Sequence, residues 1–401
     1  MRPYAGRRIV LGVTGGIASY KTGWLARLLT AAGAEVDVVM TRAATEFVGP
    51  VTFEALTGRP VHTDLFEPGR ALDHIALAKG AHAIVVAPAT ADFLARVAHG
   101  FADDLLTACL LATEAPVLLV PAMNDRMWAN RQTQENVQHL RELGHHVIEP
   151  DEGALAAGEG SGPGRMPEPE SILAHVGRLL EPNGALQGRH VLVTAGPTRE
   201  PVDPVRFLSN RSTGKMGVAI AAAAWRRGAH VSLVAGPLEV AVPPGIDVTT
   251  VETTAEMATA VRSALPAADA LVMAAAPADF APAEPAPRKI KKRDKPGAIA
   301  VAATPDILKT TRDARAPRAV IVGFALETDD ALAGGREKLT AKDLDIVVVN
   351  DARDPDAGFA VDTNRVTIVH RDGRTEPLGV MPKTDVADAI LDRVEALLRE
   401  R

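Results

Sequence analysis

The sequence predicts an α/β protein with two doubly wound, Rossmann-like domains. Three observations lead to this fold class: the chain has 401 residues, it alternates short apolar runs with longer amphipathic ones, and this alternation restarts near its middle. Domains usually contain about 100–200 residues, so two are expected here. Hydrophobic residues make up 47% of the chain and charged residues 23%, the mixture of a folded protein with substantial cores.

The first half opens with a β-α-β pattern. Its strands are nearly all apolar, as expected of a parallel sheet covered by helices on both faces. A flavodoxin-like doubly wound sheet is therefore predicted, closed by a helix over 168–180. The predicted strands lie over 8–16, 35–41, 81–90, 116–124 and 145–150, with the first helix over 18–33.

A short polar stretch rich in turn-forming residues follows, EPNGALQGR. We place the first domain at 1–180, a linker at 181–188 and the second domain at 189–401. The second half repeats the pattern, with an antiparallel tail from Arg365 and a last amphipathic helix. Strands are predicted over 190–198, 230–237, 268–280, 319–328 and 345–351, a helix over 214–228 and a surface loop over 281–298.

Composition excludes several classes of function. The net charge is −6 and the pI is near 6.0, which argues against a nucleic-acid binder with a diffuse basic surface. Cys109 is the single cysteine, so neither a disulfide framework nor a Cys-rich zinc site is available. A reducing, cytoplasmic location is expected, and neither a signal peptide nor a membrane span is predicted.

Thr14, Gly15 and Gly16 stand between the first strand and the first helix. Backbone amides at such a helix start can face a phosphate. The full dinucleotide fingerprint is absent, and Thr41 and Arg42 follow the second strand instead of an acidic residue. The motif favours a phosphate-ended cofactor over NAD, and a glycine turn needed only for helix packing is the alternative.

His74 and Asn124 are the candidate polar groups of the first half. A histidine with a near-neutral pKa can take a proton from a thiol or carboxyl group, although a lone histidine is more often structural. Asn124 ends an apolar strand, at the edge of a parallel sheet where ligands bind, and its amide can donate to a carboxylate. Helix N-capping is the alternative role for Asn124.

Seven segments of the first half together resemble the flavin-dependent cysteine decarboxylases, specifically phosphopantothenoylcysteine decarboxylase. They occur in the right order over about residues 5–180: GVTGGIASYK, ATEF, DHIALAK, APATAD, GFADDLL, PAMNDRMW and GSGPGRMPEP. The resemblance implies FMN, with His74 assisting thiol deprotonation and Asn124 orienting the substrate carboxylate. The flavin-contacting positions it implies are Gly15, Gly16, Ile17, Thr41, Ala87 and Thr90.

One position departs from that family's pattern. The family carries a cysteine in the flap before the G-x-G-R segment, as proton donor for the last reduction, and Ala157 stands there in this chain. Glu159, Ser161 or water are the alternative donors in the flap. The departure leaves open whether the first domain completes its turnover or only binds FMN as a regulatory module.

The second half carries two features that suggest anion binding. Gly214 and Lys215 open a helix after a long proline-containing loop, without a Walker A spacing. The run from Arg288 to Arg293, including Lys289, is the densest positive charge in the chain. Lysines on a loop can neutralise a reacting triphosphate, and a solvated surface loop is the alternative.

The motifs of the second half resemble phosphopantothenate–cysteine ligase over about residues 189–400, and fusion in this order resembles the bifunctional bacterial enzyme. The motifs are VTAGPTREPVDPVRFLSNRSTGKMG, AAAPADF, RKIKK, TPDIL, GFALET and REKLTAKDLD. The resemblance implies CTP, with Asn210 holding the acyl-cytidylate and Lys289 promoting its formation. Asp279, at a strand end, is a candidate ligand for the Mg²⁺ that normally neutralises a reacting triphosphate, and a buried structural Asp is the alternative. The implied nucleotide site comprises Asp279, Pro305, Asp306, Ile307, Leu308, Phe324, Lys338 and Lys342.

The predicted function is CTP-dependent ligation of 4′-phosphopantothenate with L-cysteine, followed by FMN-dependent decarboxylation to 4′-phosphopantetheine. Partners are these small molecules, without nucleic acid or membrane. The resemblance implies homo-oligomers with trimeric decarboxylase and dimeric ligase contacts, which a dodecamer would satisfy. Three rival enzymes were considered for the first half. The fused ligase argues against a flavoprotein that acts on peptide C-terminal cysteines and against a flavin prenyltransferase. The missing dinucleotide fingerprint argues against a dehydrogenase.

Overall fold

The chain divides into two units, Met1–Pro182 and Asn183–Arg401. The computed structural model describes residues 3–66, 72–156, 158–181, 186–291, 298–327, 331–351, 358 and 361–401. Leu186 is fully buried, and the backbone of Gln187 lies against Gly228. The last residues of the predicted linker therefore pack within the second unit.

The first unit contains a parallel six-stranded sheet. Its strands are β1 (Arg8–Val13), β2 (Glu35–Met40), β3 (Val61–His62), β4 (Ala83–Ala89), β5 (Val117–Pro121) and β6 (His146–Val147). The order is β3-β2-β1-β4-β5-β6, which is the Rossmann order. Without the two-residue edge strand β3 the order becomes that of flavodoxin, so both parts of the predicted fold class are confirmed.

Helices cover both faces of this sheet, which explains why β1 and β4 are almost entirely buried. One core cluster joins α1, α2 and α8 to the sheet, and a second joins α3, α4, α5 and α7. The helices are α1 (Ser19–Ala31), α2 (Pro50–Thr57), α3 (Asp73–Gly80), α4 (Ala91–Ala98), α5 (Leu105–Ala112), α6 (Asp125–Ala129), α7 (Arg131–Glu142) and α8 (Pro169–Leu180), with a 3₁₀ helix at Arg42–Glu46.

A hairpin of β7 (Asp151–Ala154) and β8 (Ser161–Arg165) lies outside the sheet. It is fixed to the segment after β5, because the Met123 amide donates to the Gly164 carbonyl (3.0 Å). Gly164 has φ +153°, and a Cβ there would lie 2.2 Å from the Met123 carbonyl oxygen. Only glycine permits this approach. The flap predicted from sequence corresponds to this hairpin.

The second unit contains an eight-stranded sheet. Its strands are β9 (His190–Ala195), β12 (His230–Ala235), β13 (Asp247–Thr250), β14 (Ala270–Met273), β17 (Val320–Glu327), β18 (Ile346–Asp351), β20 (Thr367–His370) and β21 (Thr375–Pro377). The order is β13-β12-β9-β14-β17-β18-β20-β21. Pairing is parallel from β13 to β18 and antiparallel at β20 and β21, so the predicted antiparallel tail is confirmed.

Three two-stranded sheets accompany it. They pair β10 (Arg199–Pro201) with β11 (Phe207–Ser209), β15 (Phe280–Pro282) with β16 (Val301–Ala303), and β19 (Thr363–Asn364) with β22 (Met381–Pro382). The first of these hairpins occupies the predicted loop after β9. The predicted surface loop begins inside β15, and its described residues from Ala283 to Lys291 are mostly exposed.

The helices of the second unit are α9 (Lys215–Arg226), α10 (Thr254–Ala264), α11 (Ile307–Thr310), α12 (Ala331–Ala341) and α13 (Lys383–Glu400), with 3₁₀ helices at Leu265–Ala267 and Arg312–Ala314. Helices α10, α11 and α12 contribute to one core cluster. Buried Arg227, just after α9, forms ion pairs with Asp388 and Glu395 of α13. None of the helices among the described residues is both long and apolar enough to cross a membrane.

Candidate functional sites

The carboxyl ends of β1, β2, β4 and β5 form one edge of the first sheet. Thr14 ties this edge together, because its hydroxyl donates to the Pro88 carbonyl (2.8 Å) and accepts from the Thr90 amide (3.2 Å). Thr90 in turn caps α4, accepting from the Phe93 amide. The structure therefore brings the glycine turn and Thr90 together.

The two glycines of the turn have different surroundings. A Cβ on Gly15 would lie 2.4 Å from the Cβ of Ala43, so close packing requires glycine there. A Cβ on Gly16 would meet nothing nearer than 3.6 Å, at Thr90. Among the described residues no side chain caps the start of α1, but its Ser19 and Lys21 amides already donate to backbone carbonyls, so only the other amides of the turn can face an anion. Both the packing and the anion-binding interpretations of this turn are thus supported, at different residues.

Three further residues of the predicted flavin site flank this edge. Thr41 caps the 3₁₀ helix by accepting from the Ala44 amide, and Ile17 has 65% of its surface exposed. Ala87 is completely buried within β4, and its carbonyl accepts from the Thr22 hydroxyl (2.7 Å). Only Thr41 and Ile17 of these three therefore present side-chain surface at the edge.

His74, the second residue of α3, lines a cavity of about 520 Å³. Its Nδ1 is buried and has no hydrogen-bond partner among the described residues, which is unusual for a buried polar atom. Within the described part of the unit, this cavity excludes the glycine turn and Asn124. The other lining residues are almost all apolar: Leu65, Phe66, Ile75, Ala102, Ala108, Leu111 and Ala112.

Asn124 caps α6, because its side-chain oxygen accepts from the Arg126 amide (2.9 Å). Asn124 therefore has the N-capping role that was the alternative interpretation of the sequence. Because the cap uses only the side-chain oxygen, the side-chain NH₂ can still donate to a ligand. A Cβ on Gly162 would lie 3.0 Å from the Cβ of Asp125. The structure thus places Asn124 beside the flap hairpin.

Ala157 lies outside the described residues, while Glu159 and Ser161 of the flap are exposed. Cys109 is the one cysteine of the chain, and it is completely buried in α5. Burial raises the pKa of its thiol to about 12, and the carboxylates of Asp104 and Asp73 add to this shift. A thiol in that state cannot replace the missing flap cysteine as proton donor.

The second unit contains a cavity of about 590 Å³ at the carboxyl ends of its parallel strands. It gathers every residue predicted for the nucleotide site, together with the predicted acyl-cytidylate residue. These are Asn210, Asp279, Pro305, Asp306, Ile307, Leu308, Phe324, Lys338 and Lys342. Segments far apart in the sequence thus converge on one concave site.

Two contacts shape the wall of this cavity at α11 and α12. The Asp306 carboxylate caps α11 and lies 3.0 Å from the Lys342 ammonium. The Lys338 ammonium donates to the Phe324 carbonyl. Phe324 offers the cavity an aromatic ring, and the buried side chains of Ile307 and Leu308 complete an apolar wall. Such a wall suits a planar base.

Asn210 directly follows β11 and also lines the cavity. Its side-chain NH₂ donates to the carbonyls of Ala276 (3.1 Å) and Pro277 (3.0 Å). These carbonyls belong to the segment after β14, which leads to the exposed Asp279. Asn210 therefore fixes this segment at the cavity.

Positive charge collects at a third side of the cavity. Thr213, Gly214, Lys215 and Met216 line it at the start of α9, where no side chain caps the helix. A Cβ on Gly217 would lie 2.7 Å from the Thr194 carbonyl oxygen, so glycine lets this helix start sit directly on β9. An uncapped helix start with a lysine favours an anion.

Lys383 adds a second ammonium there, although its side chain is only 6% exposed. It donates to the carbonyls of Gly358 (2.8 Å) and Val361. Burial lowers the pKa of Lys383, nearby Lys215 lowers it further, and Asp362 opposes both effects. Lys383 could not be predicted, because no motif in the sequence marks it. Lys215 was only weakly indicated, because a lysine after glycine is a weak signal.

Lys289 is exposed and does not line this cavity as far as the described residues go. Its neighbour Ile290 is anchored, since its amide donates to Asp203 (3.2 Å) and its carbonyl accepts from Arg206 (2.8 Å). Hydrogen bonds from Arg206, Val205 and Ile290 lower the pKa of Asp203 well below its usual range. Lys292 and Arg293 of the basic run lie outside the described residues.

The described residues contain no group of three or more His, Cys, Asp or Glu side chains able to hold a metal ion. This arrangement is compatible with Mg²⁺, which is often held by one or two carboxylates together with substrate phosphates.

Comparison with known proteins decides the family. The flavoprotein family matches residues 1–181, and the DNA/pantothenate metabolism flavoprotein C-terminal domain matches residues 186–398. The coenzyme A biosynthesis bifunctional protein CoaBC of Bacillus subtilis is 44% identical over 399 residues, 98% of this chain and 98% of that protein. This chain belongs to the CoaBC family.

Other CoaBC proteins also match over more than nine-tenths of the chain. That of Mycobacterium tuberculosis strain H37Rv is 46% identical over 407 residues, covering 98% of this chain and 97% of that protein. That of Escherichia coli K12 is 43% identical over 374 residues, 92% of each chain. The chain is a bifunctional coenzyme A biosynthesis enzyme, a decarboxylase and a ligase, with a flavoprotein domain.

Proposed function

We propose that the second unit joins 4′-phosphopantothenate to L-cysteine with CTP, and that the first unit decarboxylates the product on FMN. The observation that carries the proposal is the cavity of the second unit, which gathers nine predicted site residues with two further lysines. Its charge suits a nucleoside triphosphate: four lysines and a helix start surround two carboxylates.

In the ligation, the substrate carboxylate attacks the α-phosphate of CTP and pyrophosphate leaves. Cysteine's amine then attacks the acyl-cytidylate and CMP leaves. Lys215, Lys383 and the amides at the start of α9 stabilise charge on the phosphates, and the wall around Phe324 holds the base. Mg²⁺ at Asp279 supplies further neutralisation of the triphosphate. Lys289 acts from the loop that follows β15.

For the first unit, the glycine turn and the uncapped start of α1 suit the phosphate end of FMN. Bound FMN would supply the redox chemistry that this decarboxylation needs. His74 takes the thiol proton through its unpaired nitrogen, and Asn124 orients the substrate carboxylate with its free NH₂.

Among the described residues the glycine turn does not line the His74 cavity, so we propose that each flavin site is completed by a second copy of the chain. Phe66 and Leu111, which line the His74 cavity, are 82% and 64% exposed, and a subunit contact would cover this apolar surface. A trimer through this unit and a dimer through the ligase are the arrangements proposed, with a dodecamer satisfying both.

A second candidate function for the first unit is FMN binding without turnover. Ala157 at the flap-cysteine position favours it, and Cys109 is too deeply buried to substitute. Release of CO₂ from added phosphopantothenoylcysteine would exclude this candidate.

The acyl-cytidylate route is tested with 4′-phosphopantothenate labelled with ¹⁸O in its carboxylate. One labelled oxygen bridges to the α-phosphate, so CMP formed after addition of cysteine is expected to carry it. Pyrophosphate release without cysteine is the accompanying signal. Unlabelled CMP, or label appearing in pyrophosphate, would contradict the proposed route.

A further inference from the structure

Arg315 follows the 3₁₀ helix Arg312–Ala314 and lies behind the nucleotide cavity, outside its described lining. Its guanidinium donates to three backbone carbonyls: Leu308 (2.8 Å), Lys342 (3.0 Å) and Asp343 (2.7 Å). The first belongs to α11, and the other two follow the end of α12. One side chain thus joins two segments more than thirty residues apart in the sequence.

Both segments carry residues of the nucleotide site. Asp306, Ile307 and Leu308 stand on one, and Lys338 and Lys342 on the other. Carbonyls at the end of a helix have no partner within the helix and favour a nearby cation. A planar guanidinium reaches several acceptors in fixed directions, which a lysine ammonium cannot reproduce.

On the cavity side the same segments meet through the Asp306–Lys342 ion pair. The ion pair therefore connects the two segments at the cavity. Arg315 connects the same segments outside the cavity lining. Burial lowers the pKa of the Arg315 guanidinium, so the group is held in place at an electrostatic cost. A guanidinium nevertheless stays protonated in proteins.

We propose that Arg315 is a positioning residue for the nucleotide: it sets the spacing between α11 and the end of α12, and with it the width of the base and ribose subsite. This inference rests on the proposed ligase function. The expected consequence is specific to the nucleotide, because Asn210 and the segment after β14 are held by other contacts.

Arg371 provides a matched control. It donates to the Leu344 carbonyl (3.0 Å) and the Asp343 carboxylate (2.8 Å), close to the carbonyls that Arg315 binds. In the described structure it has no hydrogen bond to Leu308 or Lys342. Losing Arg371 removes a cation from the same neighbourhood without separating the two segments.

The test uses the full chain with Arg315→Lys, Arg315→Met and Arg371→Met. CTP binding is measured by calorimetry, KM and kcat by pyrophosphate release, and folding by the thermal midpoint. Arg315→Lys is expected to weaken CTP binding and raise KM for CTP by about tenfold, the effect of about 1.4 kcal/mol. Its kcat, its KM for cysteine and its thermal midpoint should stay close to wild type, as should all values for Arg371→Met.

Unchanged CTP binding in Arg315→Lys would overturn the inference. An equal rise of KM for CTP and for cysteine in Arg315→Lys would also overturn it. So would a loss of CTP binding in Arg371→Met as large as that in Arg315→Lys. If Arg315→Met does not fold, Arg315→Lys alone decides. Wild-type protein that binds CTP without ligating would refute the proposed function and leave the binding test of Arg315 intact. Wild-type protein that does not bind CTP would refute both.

Discussion

The Asp306 carboxylate lies 3.0 Å from the Lys342 ammonium, and the same carboxylate accepts from the Lys309 amide at the start of α11. One side chain thus caps a short helix and connects it to the end of α12. Both charged groups line the nucleotide cavity. Their ion pair is the contact between these two segments on the cavity side.

Lys342→Met is expected to raise KM for CTP by about tenfold or more, because it removes a cation from the cavity and takes from Asp306 its closer ion-pair partner. The measurement is pyrophosphate release at varied CTP. Lys309→Met is the control: its ammonium lies 3.9 Å from the same carboxylate but is 58% exposed, so its effect should stay within about twofold. Equal effects of the two variants would contradict a role for Lys342 in the cavity.

His74→Asn is expected to lower decarboxylation of supplied phosphopantothenoylcysteine by about 100-fold or more, the usual contribution of an acid-base group. Ligation by the other unit should be unaffected. His99→Asn is the control, because His99 is exposed at the end of α4. CO₂ release at an unchanged rate in His74→Asn would contradict the proposed role of His74 in taking the thiol proton.

Cys109 is expected to be unreactive toward a thiol reagent at pH 8 in the folded protein. With a thiol pKa of about 12, the thiolate fraction there is only about one in ten thousand. The chain has one cysteine, so a colorimetric thiol assay counts this residue alone. Denaturation should expose one equivalent of thiol; rapid labelling before denaturation would contradict the burial of α5.

His175 is expected to make the first unit less stable as the pH falls from 6.5 toward 4. Burial lowers the pKa of His175 to about 4 from an ordinary value of 6.5, with Arg178 and His146 adding to the shift. The unfolded chain therefore takes up the proton first, and stability is lost across this window. The loss attributable to this group is about 3 kcal/mol at most.

Scanning calorimetry of wild type and His175→Gln between pH 7 and pH 4.5 measures this effect. The variant cannot bind the proton, so its melting temperature should fall less steeply. Some dependence will remain, because burial also lowers the pKa values of His145 and His146. Parallel pH profiles for wild type and His175→Gln would refute the assignment to His175.

Much of the fold follows from short-range patterns in the sequence. The buried parallel strands are continuous apolar runs, and burial on both faces makes such runs recognisable. The strands of the β10–β11 hairpin have only three residues each and are partly exposed, and the edge strand β13 is exposed throughout. Such elements leave no apolar period and were missed for that reason.

The residues proposed for the ligase site were predicted as one set, and they do line one cavity, since the carboxyl ends of parallel strands meet at one edge. The contacts that support this site could not be predicted, because they join residues that are distant in the sequence. Lys383 reaches the cavity from the last helix, and Arg315 joins Leu308 to Lys342. The separation of His74 from the glycine turn was also not predictable, because it depends on how α3 and α5 pack together.

The most direct test of a two-step enzyme supplies the purified chain with 4′-phosphopantothenate, cysteine, CTP and Mg²⁺ and follows the products by mass. We expect the wild-type protein to form pyrophosphate, CMP, CO₂ and 4′-phosphopantetheine. We expect the His74→Asn variant to accumulate the intermediate, phosphopantothenoylcysteine. Wild-type protein that stops at phosphopantothenoylcysteine would contradict a working decarboxylase, and the absence of pyrophosphate would contradict the ligase.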